Sequence, residues 1–589
     1  MFHKSEMSVN ELFSATASLP VHDALAIRAW AHPDKVLFTF LDEQGEVSGT
    51  LSYRELYLKS LSIAQQLKQH SEAGDRVILF FPQSLEFIAS FIACLMTQRI
   101  AVPLNLPNRR RLDRCEKIIT DSGATLALSH SSCLEESQAA FANSEQINLN
   151  WLVPTDTLAP TDLGDQTNLS NIDPQSVAFL QYTSGSTSDP KGVMVSHHNI
   201  TTNLRMMRDS WQLDHTTDIV SWQPHHHDMG LILGQLLPMV LGNHTVLMAP
   251  NTFVRQPSIW LQAISDYQAT MAGGPNFAYN LAVDRYSADK YKDLDLSSWT
   301  IALNGADVVR ATSLSRFVDN FAKHGFEADS FLPCYGLAEA TLFVSGGPVR
   351  KPTCSQEVDT WQMEIERRIV PPSTEEKSRL LVGSGEASWE VETCIVNPDT
   401  CERCATGEVG EIWLHGEAMA QGYWQNEVAT QNAFRAEILG EPGKHFMRTG
   451  DLGFIGEDDL QLYISGRLKD LIICEGRNLH PEDVEYSIIE SFPENKPQSG
   501  AVFCHDDDQN RQCIVAAVEI NREIKRALKE NPKQVKASIR ASVAQEHGIT
   551  LNQIIFVQPT SMHKTTSGKI QRSLMRKLYL ANELSLVTE

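Results

Sequence analysis

Between residues 75 and 130 short apolar runs alternate with longer amphipathic ones. DRVILFF (75–81), IAVPL (100–104) and ATLAL (124–128) have the length and composition of buried strands. Between them, SLEFIASFIACLM (84–96) and RLDRCEKIIT (111–120) carry helical spacing. Strand, helix, strand at this pitch predicts βαβ units on a parallel sheet. The rhythm returns in SVAFLQYT (176–183), in NHTVLMAP (243–250) followed by the helical QPSIWLQAISDY (256–267), and in TIALNG (300–305). From about residue 380 the pattern changes to short runs punctuated by glycine, LLVGSGEASWEVETCIV, GEVGEIWLHG and LQLYISGR, which predict a β-rich subdomain. Beyond about 468 there is a third texture. PEDVEYSIIESF predicts a helix with Pro481 in its first turn, SGAVFCHD and QCIVAAVEI predict strands, and two basic helical stretches flank Pro532, which should separate them.

The expected fold is therefore α/β. A large N-terminal domain (1–467) holds two parallel-type α/β subdomains and a β-rich subdomain, and a small mobile α+β domain (471–589) follows a hinge at 468–470. The polar segment 351–378, which contains Pro371-Pro372, is expected to be an inserted surface element.

Composition narrows the class. The 589 residues are 42% hydrophobic and 21% charged, which excludes wholesale disorder. The 50 Lys+Arg against 73 Asp+Glu give a net charge of −23, so nucleic acid is a poor partner and any phosphate needs a local device to hold it. The apolar runs Leu85–Met96 and Leu231–Leu241 are too short to span a bilayer and read as buried core, so no stable membrane insertion is expected. The N-terminus lacks a secretory apolar region and the 11 cysteines are scattered, which together point to the cytoplasm. Cys401 and Cys404 have no second C-x-x-C to complete a zinc ribbon, and the consecutive histidines 225–227 lack the spacing of a metal site.

The chemistry gathers first in YTSGSTSDPKGV (182–193), which follows a predicted strand. Thr183, Ser184, Ser186 and Thr187 offer hydroxyls, Gly185 lets backbone N–H groups converge, and Lys191 adds positive charge. It is a phosphate loop of neither the Walker A nor the dinucleotide type. Six further motifs follow: PHHHDMGL (224–231), NGAD (304–307), CYGLAEAT (334–341), RTGDLG (448–453), GRLKDLI (466–472) and TTSGKIQR (565–572). All seven, in this order, resemble the signatures of the acyl-adenylate-forming, AMP-binding superfamily, and the resemblance covers roughly residues 20–580.

The resemblance implies ATP and Mg²⁺ as cofactors. By it, the 183–191 loop holds the β- and γ-phosphates, with Glu339 and Thr187 at the metal. Tyr335 and Gly336 face the adenine opposite Asn304, Gly305 and Ala306. Asp451 and Arg467 take the ribose. Lys569, carried on the mobile domain, bridges the acid and the α-phosphate, His227 orients the carboxylate, and Asp228, Met229, Gly230 and Leu231 begin the acyl pocket, whose tunnel is lined from Met229 to Leu233. The 351–378 insertion and EGRNLHPEDVE (475–485) resemble the fatty acyl-AMP ligase branch, in which that insertion is thought to limit the swing that admits CoA. The implied reaction activates a medium- or long-chain fatty acid and passes it to a separate acyl carrier protein. A fatty acyl-CoA ligase, an aryl- or amino-acid-adenylating enzyme and a silent nucleotide-binding sensor are the alternatives.

Overall fold

The computed structural model describes residues 9–587, apart from 108–111, 145, 156–170, 184–189, 374–377, 475–476, 493–495, 498, 507–511 and 566–568. Two large sheets dominate. The first has six strands, and its interior is parallel: Arg76–Phe80 pairs with Ile100–Leu104 on one side and Leu126–Ser129 on the other. The second has eight strands, parallel through Thr245–Met248, Ile219–Ser221, Met271–Gly274, Ile301–Asn304 and Phe331–Gly336.

The expected alternation is present. Helix Leu85–Met96 lies between two strands and is buried from Phe87 to Leu95, which explains why its sequence is apolar on every side. Helices His197–Ser210 and Tyr53–His70 start in reciprocal caps, Ser196 with Asn199 and Ser52 with Glu55, each worth about 1 kcal/mol.

Both parallel sheets reverse direction at an edge. Val177–Thr183 turns back antiparallel into Lys191–Ser196, and Phe331–Gly336 into Phe343–Gly346. Each reversal carries one of the chemistry-bearing motifs. The β-rich part is a four-stranded antiparallel sheet running from Glu392–Val396 to Leu462–Arg467. After the 3₁₀ turn Leu468–Asp470 comes the small domain, a three-stranded sheet with helices Pro481–Glu490, Arg522–Glu530, Pro532–His547 and Arg572–Leu580. Pro481 and Pro532 both occupy first turns, where a missing N–H costs nothing. No described helix is long and apolar enough to cross a membrane.

The 351–378 segment is largely exposed, but it also has a structured, docked part. Its strand Ser355–Asp359 pairs with Ser378–Val382, and its helix Thr360–Glu366 buries Met363 and Glu364. That helix packs against the small domain's strand Arg477–Leu479. Glu364 faces the small domain, while Lys351, Ser355, Glu357, Glu366 and Arg368 stay exposed as expected of a surface element.

Candidate active site

The phosphate motif begins on a rigid base. The Tyr182 hydroxyl donates to Asp121 at 2.5 Å, and Arg114 donates to the Thr183 carbonyl at 3.0 Å. Thr183 sits opposite Lys191 across the hairpin. Gly192 is needed there, because a Cβ would lie 2.8 Å from the Tyr182 ring. Ser184, Gly185, Ser186 and Thr187 lie outside the described residues. Lys191 turns its ammonium over the Tyr423 ring, 4.8 Å from the centroid.

On the other sheet, strand Ile301–Asn304 delivers Asn304, Gly305 and Ala306 to its C-terminal end, beside Phe331–Gly336 with Tyr335 and Gly336. Ligands of open α/β sheets bind at such strand ends. Asn304 donates to Asn276 at 3.1 Å, while its own Oδ1 is buried without a partner among the described residues. A Cβ on Gly305 would meet the Cys334 carbonyl at 2.8 Å, and one on Gly336 the Leu342 carbonyl at 1.8 Å. Ala306 (φ +67°) and Thr341 (φ +69°) both hold left-handed backbone, a strain that concentrates at functional sites.

Asp451 ties this region to the β-rich sheet. Its Oδ2 accepts from the Tyr335 hydroxyl and its Oδ1 from Arg467 Nε, each at 2.8 Å. The carboxylate holds the Arg467 guanidinium above its ordinary value. Glu339 stands on the single 3₁₀ turn Ala338–Ala340, and its Oε1 accepts from the Tyr423 hydroxyl at 2.9 Å.

The PHHHDMGL motif ends in a π-helix, Met229–Leu236, capped by Asp228, whose Oδ1 accepts from the Met229 N–H at 2.8 Å. π-Helical turns are rare and cluster at functional sites. A Cβ on Gly230 would lie 2.1 Å from the Pro224 carbonyl, so only glycine lets this helix rest against the preceding turn. Met229, Leu231, Ile232 and Leu233 are buried in the main core. His227 Nδ1 lies 2.6 Å from Asp228 Oδ1. Burial alone would raise Asp228, but His227, the Met229 N–H and the Lys569 charge outweigh it and hold the carboxyl below its ordinary range.

Lys569 arrives from the far end of the chain. Burial, and then the neighbouring Arg467 guanidinium, push its ammonium below the ordinary lysine value, while Asp307, Asp451 and Asp228 oppose that shift. The lysine thus sits in the field of three separate motifs. Asp228, Asp451 and Arg467 lie within electrostatic reach of Lys569, with His227 beside Asp228 and Arg467 paired to Asp451.

Contacts of named residues dock the small domain on the rest of the chain. Arg310 donates to the Glu482 carbonyl at 2.9 Å and stacks on Tyr486, and Arg379 pairs with Asp483 at 3.0 Å. From the insertion, Glu364 Oε2 accepts from both Arg477 Nη2 (2.5 Å) and Nε (3.0 Å), and its carbonyl accepts from Asn478 at 3.0 Å. Trp361 covers the Arg477 guanidinium at 5.1 Å.

Sequence reasoning singled out neither Tyr423 nor Asp307, Arg310, Glu364 or Arg379. Asp307 stands inside NGAD, one residue past the three chosen. The others lie outside any motif, and only the tertiary fold gives them a partner.

The chain matches the family described as "AMP-binding enzyme" over residues 25–424, and "Disco-interacting protein 2-like, AMP domain" over 469–589. It is 36% identical over 575 residues, 95% of each chain, to JamA of Moorena producens, a medium-chain-fatty-acid–[acyl-carrier-protein] ligase. It is 33% identical to a putative fatty-acid–CoA ligase, fadD21, of Mycobacterium leprae, over 95% of this chain and 97% of that one. Among solved structures, a fatty acid AMP ligase from Legionella pneumophila aligns with a TM-score of 0.74 at 34% identity, over 99% of both chains. A fatty acyl-adenylate ligase structure from a study of the E. coli and L. pneumophila enzymes aligns at 0.84 and 30%, over 96% of this chain and 98% of that one. The chain belongs to the AMP-binding enzyme family. Within it, the chain stands among ligases of fatty acids.

Proposed function

We propose that this protein is a fatty acyl-AMP ligase. The fatty carboxylate attacks the α-phosphorus of ATP, the bond to pyrophosphate breaks, and acyl-adenylate forms. The thiol of a separate acyl carrier protein then attacks the acyl carbon, and AMP leaves. The observation that carries this reading is the position of Lys569. Its ammonium, from the small domain, lies within electrostatic reach of Asp228 at the head of the acyl motif and Asp451 in the ribose motif. A cation near both can offset the charge of a carboxylate approaching a phosphate.

In this reading Lys569 is the catalytic cation and His227, braced by Asp228, orients the incoming carboxylate. Met229, Gly230 and Leu231 form the first wall of the acyl pocket. Tyr335 and Gly336 lie on one side of the adenine, with Asn304, Gly305 and Ala306 on the other, and the bare Asn304 Oδ1 suits its amino group. Asp451 and Arg467 take the ribose, while Thr183, Ser184, Gly185, Ser186, Thr187 and Lys191 take the outer phosphates. Glu339, with only Oε1 in a hydrogen bond among the described residues, fits a hard divalent cation, with Thr187 as the second ligand. Mg²⁺ held there would neutralise phosphate charge. Residues 1–467 act as the binding body, 468–470 as the hinge and 471–589 as the lid.

The relatives named as fatty-acid–CoA ligases support a second reading, with the same adenylate and CoA as acceptor. One experiment separates them: purified protein with Mg-ATP and a fatty-acid panel, with CoA or a phosphopantetheinylated carrier protein, read by mass spectrometry. Acyl-AMP that persists with CoA and is consumed by the carrier supports the proposal. Efficient acyl-CoA formation overturns it in favour of the second reading.

A further inference from the structure

We infer that Tyr423 is a positioning residue that keeps a phosphate-loop cation and a metal-binding carboxylate apart, so that each is available to its own ligand. The inference rests on the reading of Glu339 as a metal ligand. Tyr423 belongs to GYW (422–424), a segment outside every motif assigned above. The ring is buried, with its edge against Phe434 at 5.2 Å. One face carries the Lys191 ammonium at 4.8 Å, and the hydroxyl donates to Glu339 Oε1 at 2.9 Å. Lys191 and Glu339 form no ion pair with each other among the described residues; the phenol stands between them.

The backbone leaves this ring little freedom. Met194 N–H donates to the Gly422 carbonyl at 2.9 Å, and Trp424 N–H to the Gly192 carbonyl at 2.7 Å, so the segment lies along the exit strand of the phosphate hairpin. Ala420 N–H donates to the Glu339 carbonyl at 2.9 Å, and the Thr341 hydroxyl to the Ala418 carbonyl at 2.7 Å, which fasten it to the acidic turn as well. Gly422 has φ +131°, and a Cβ there would lie 2.5 Å from Thr430. One segment therefore sets the distance between the two motifs.

The chemistry follows from the geometry. A hydrogen bond to Oε1 fixes the plane of the Glu339 carboxylate and leaves Oε2 to bind a cation from one direction. Mg²⁺ tolerates little departure from octahedral geometry. Groups that orient a metal ligand are worth about 10–100-fold in metal affinity. The ring face meanwhile holds Lys191 without neutralising it, because a quadrupole is a weaker partner than a carboxylate.

The test is Y423F, which keeps the ring and removes only the donor. Mn²⁺ binding to the ATP-loaded protein is read by electron paramagnetic resonance, alongside the Mg²⁺ dependence of pyrophosphate release. Metal affinity should fall about 10–100-fold, with the fatty-acid KM, metal-free ATP binding and melting temperature unchanged. Y423L removes the spacer too and should weaken metal-free ATP binding as well, as Lys191 collapses onto Glu339. E339Q is measured in parallel. If E339Q weakens metal binding and Y423F does not, Tyr423 has no positioning role and the inference falls alone. If E339Q leaves metal binding intact, the metal reading falls and takes the inference with it.

Discussion

Removing Arg477 should open the lid. The Arg477–Glu364 pair joins the small domain to the inserted helix, and the two side chains are only 11% and 4% exposed. The pair crosses from the small domain to the insertion, so its loss should act on their docking; Arg477 also donates to the His547 carbonyl at 2.7 Å inside the small domain, a bond lost with the guanidinium. Breaking a buried pair by removing one partner costs about 3–5 kcal/mol, because the surviving charge stays buried. At about 1.4 kcal/mol per tenfold, that is a shift of roughly 140- to 3,700-fold in the closed-to-open ratio. Burial already raises the Glu364 carboxyl in spite of Arg477, so without the guanidinium it takes up a proton readily. The penalty should therefore shrink as pH falls. R477M keeps the stem packed on Trp361 and removes the charge. Pyrophosphate release should fall at least tenfold, by more at pH 8 than at pH 6, and amide exchange should rise over 360–366 and 477–490. E364L combined with R477M replaces both ions with apolar groups and should recover most of the loss. An R477M enzyme within threefold of the parent, with exchange unchanged in both segments, would refute the reasoning.

Two further outcomes are expected. Because burial and Arg467 depress Lys569, the charged form is lost at a pH below the ordinary lysine value, so adenylate formation should decline on the alkaline side earlier than a free lysine would dictate. K569R should move that limb upward and K569A should abolish adenylate formation while ATP binding persists, all read from a pH–rate profile. In G336A the new Cβ meets a backbone carbonyl that cannot swing aside, so the hairpin at Leu342 must shift. The cost should be about 1–3 kcal/mol in stability together with a higher ATP KM, measured by thermal melting and steady-state kinetics.

The parallel sheets were legible in the sequence because both their faces are covered, which makes a strand such as Val77–Phe80 apolar without interruption. Helix boundaries at Pro481 and Pro532 were legible because proline fixes its own place. That Asp451, Arg467 and Lys569 share one neighbourhood was expected only through the family resemblance, since composition and periodicity carry no trace of how two domains dock. Helix Thr360–Glu366 reads as polar surface because its buried glutamate is satisfied by an arginine 113 residues away. The π-helical winding at Met229–Leu236 was equally hidden, since an apolar run has the same composition whether each turn holds four residues or five.

Asp451 is oriented before any nucleotide arrives: Tyr335 donates to one oxygen and Arg467 to the other. Each carboxylate oxygen keeps a further lone pair, so if Asp451 takes the ribose as proposed, the sugar hydroxyls add to a carboxylate already held in place and neither donor has to leave. The empty pocket is thereby spared a stranded charge, and the cost of fixing that side chain is met by folding and not by each round of binding.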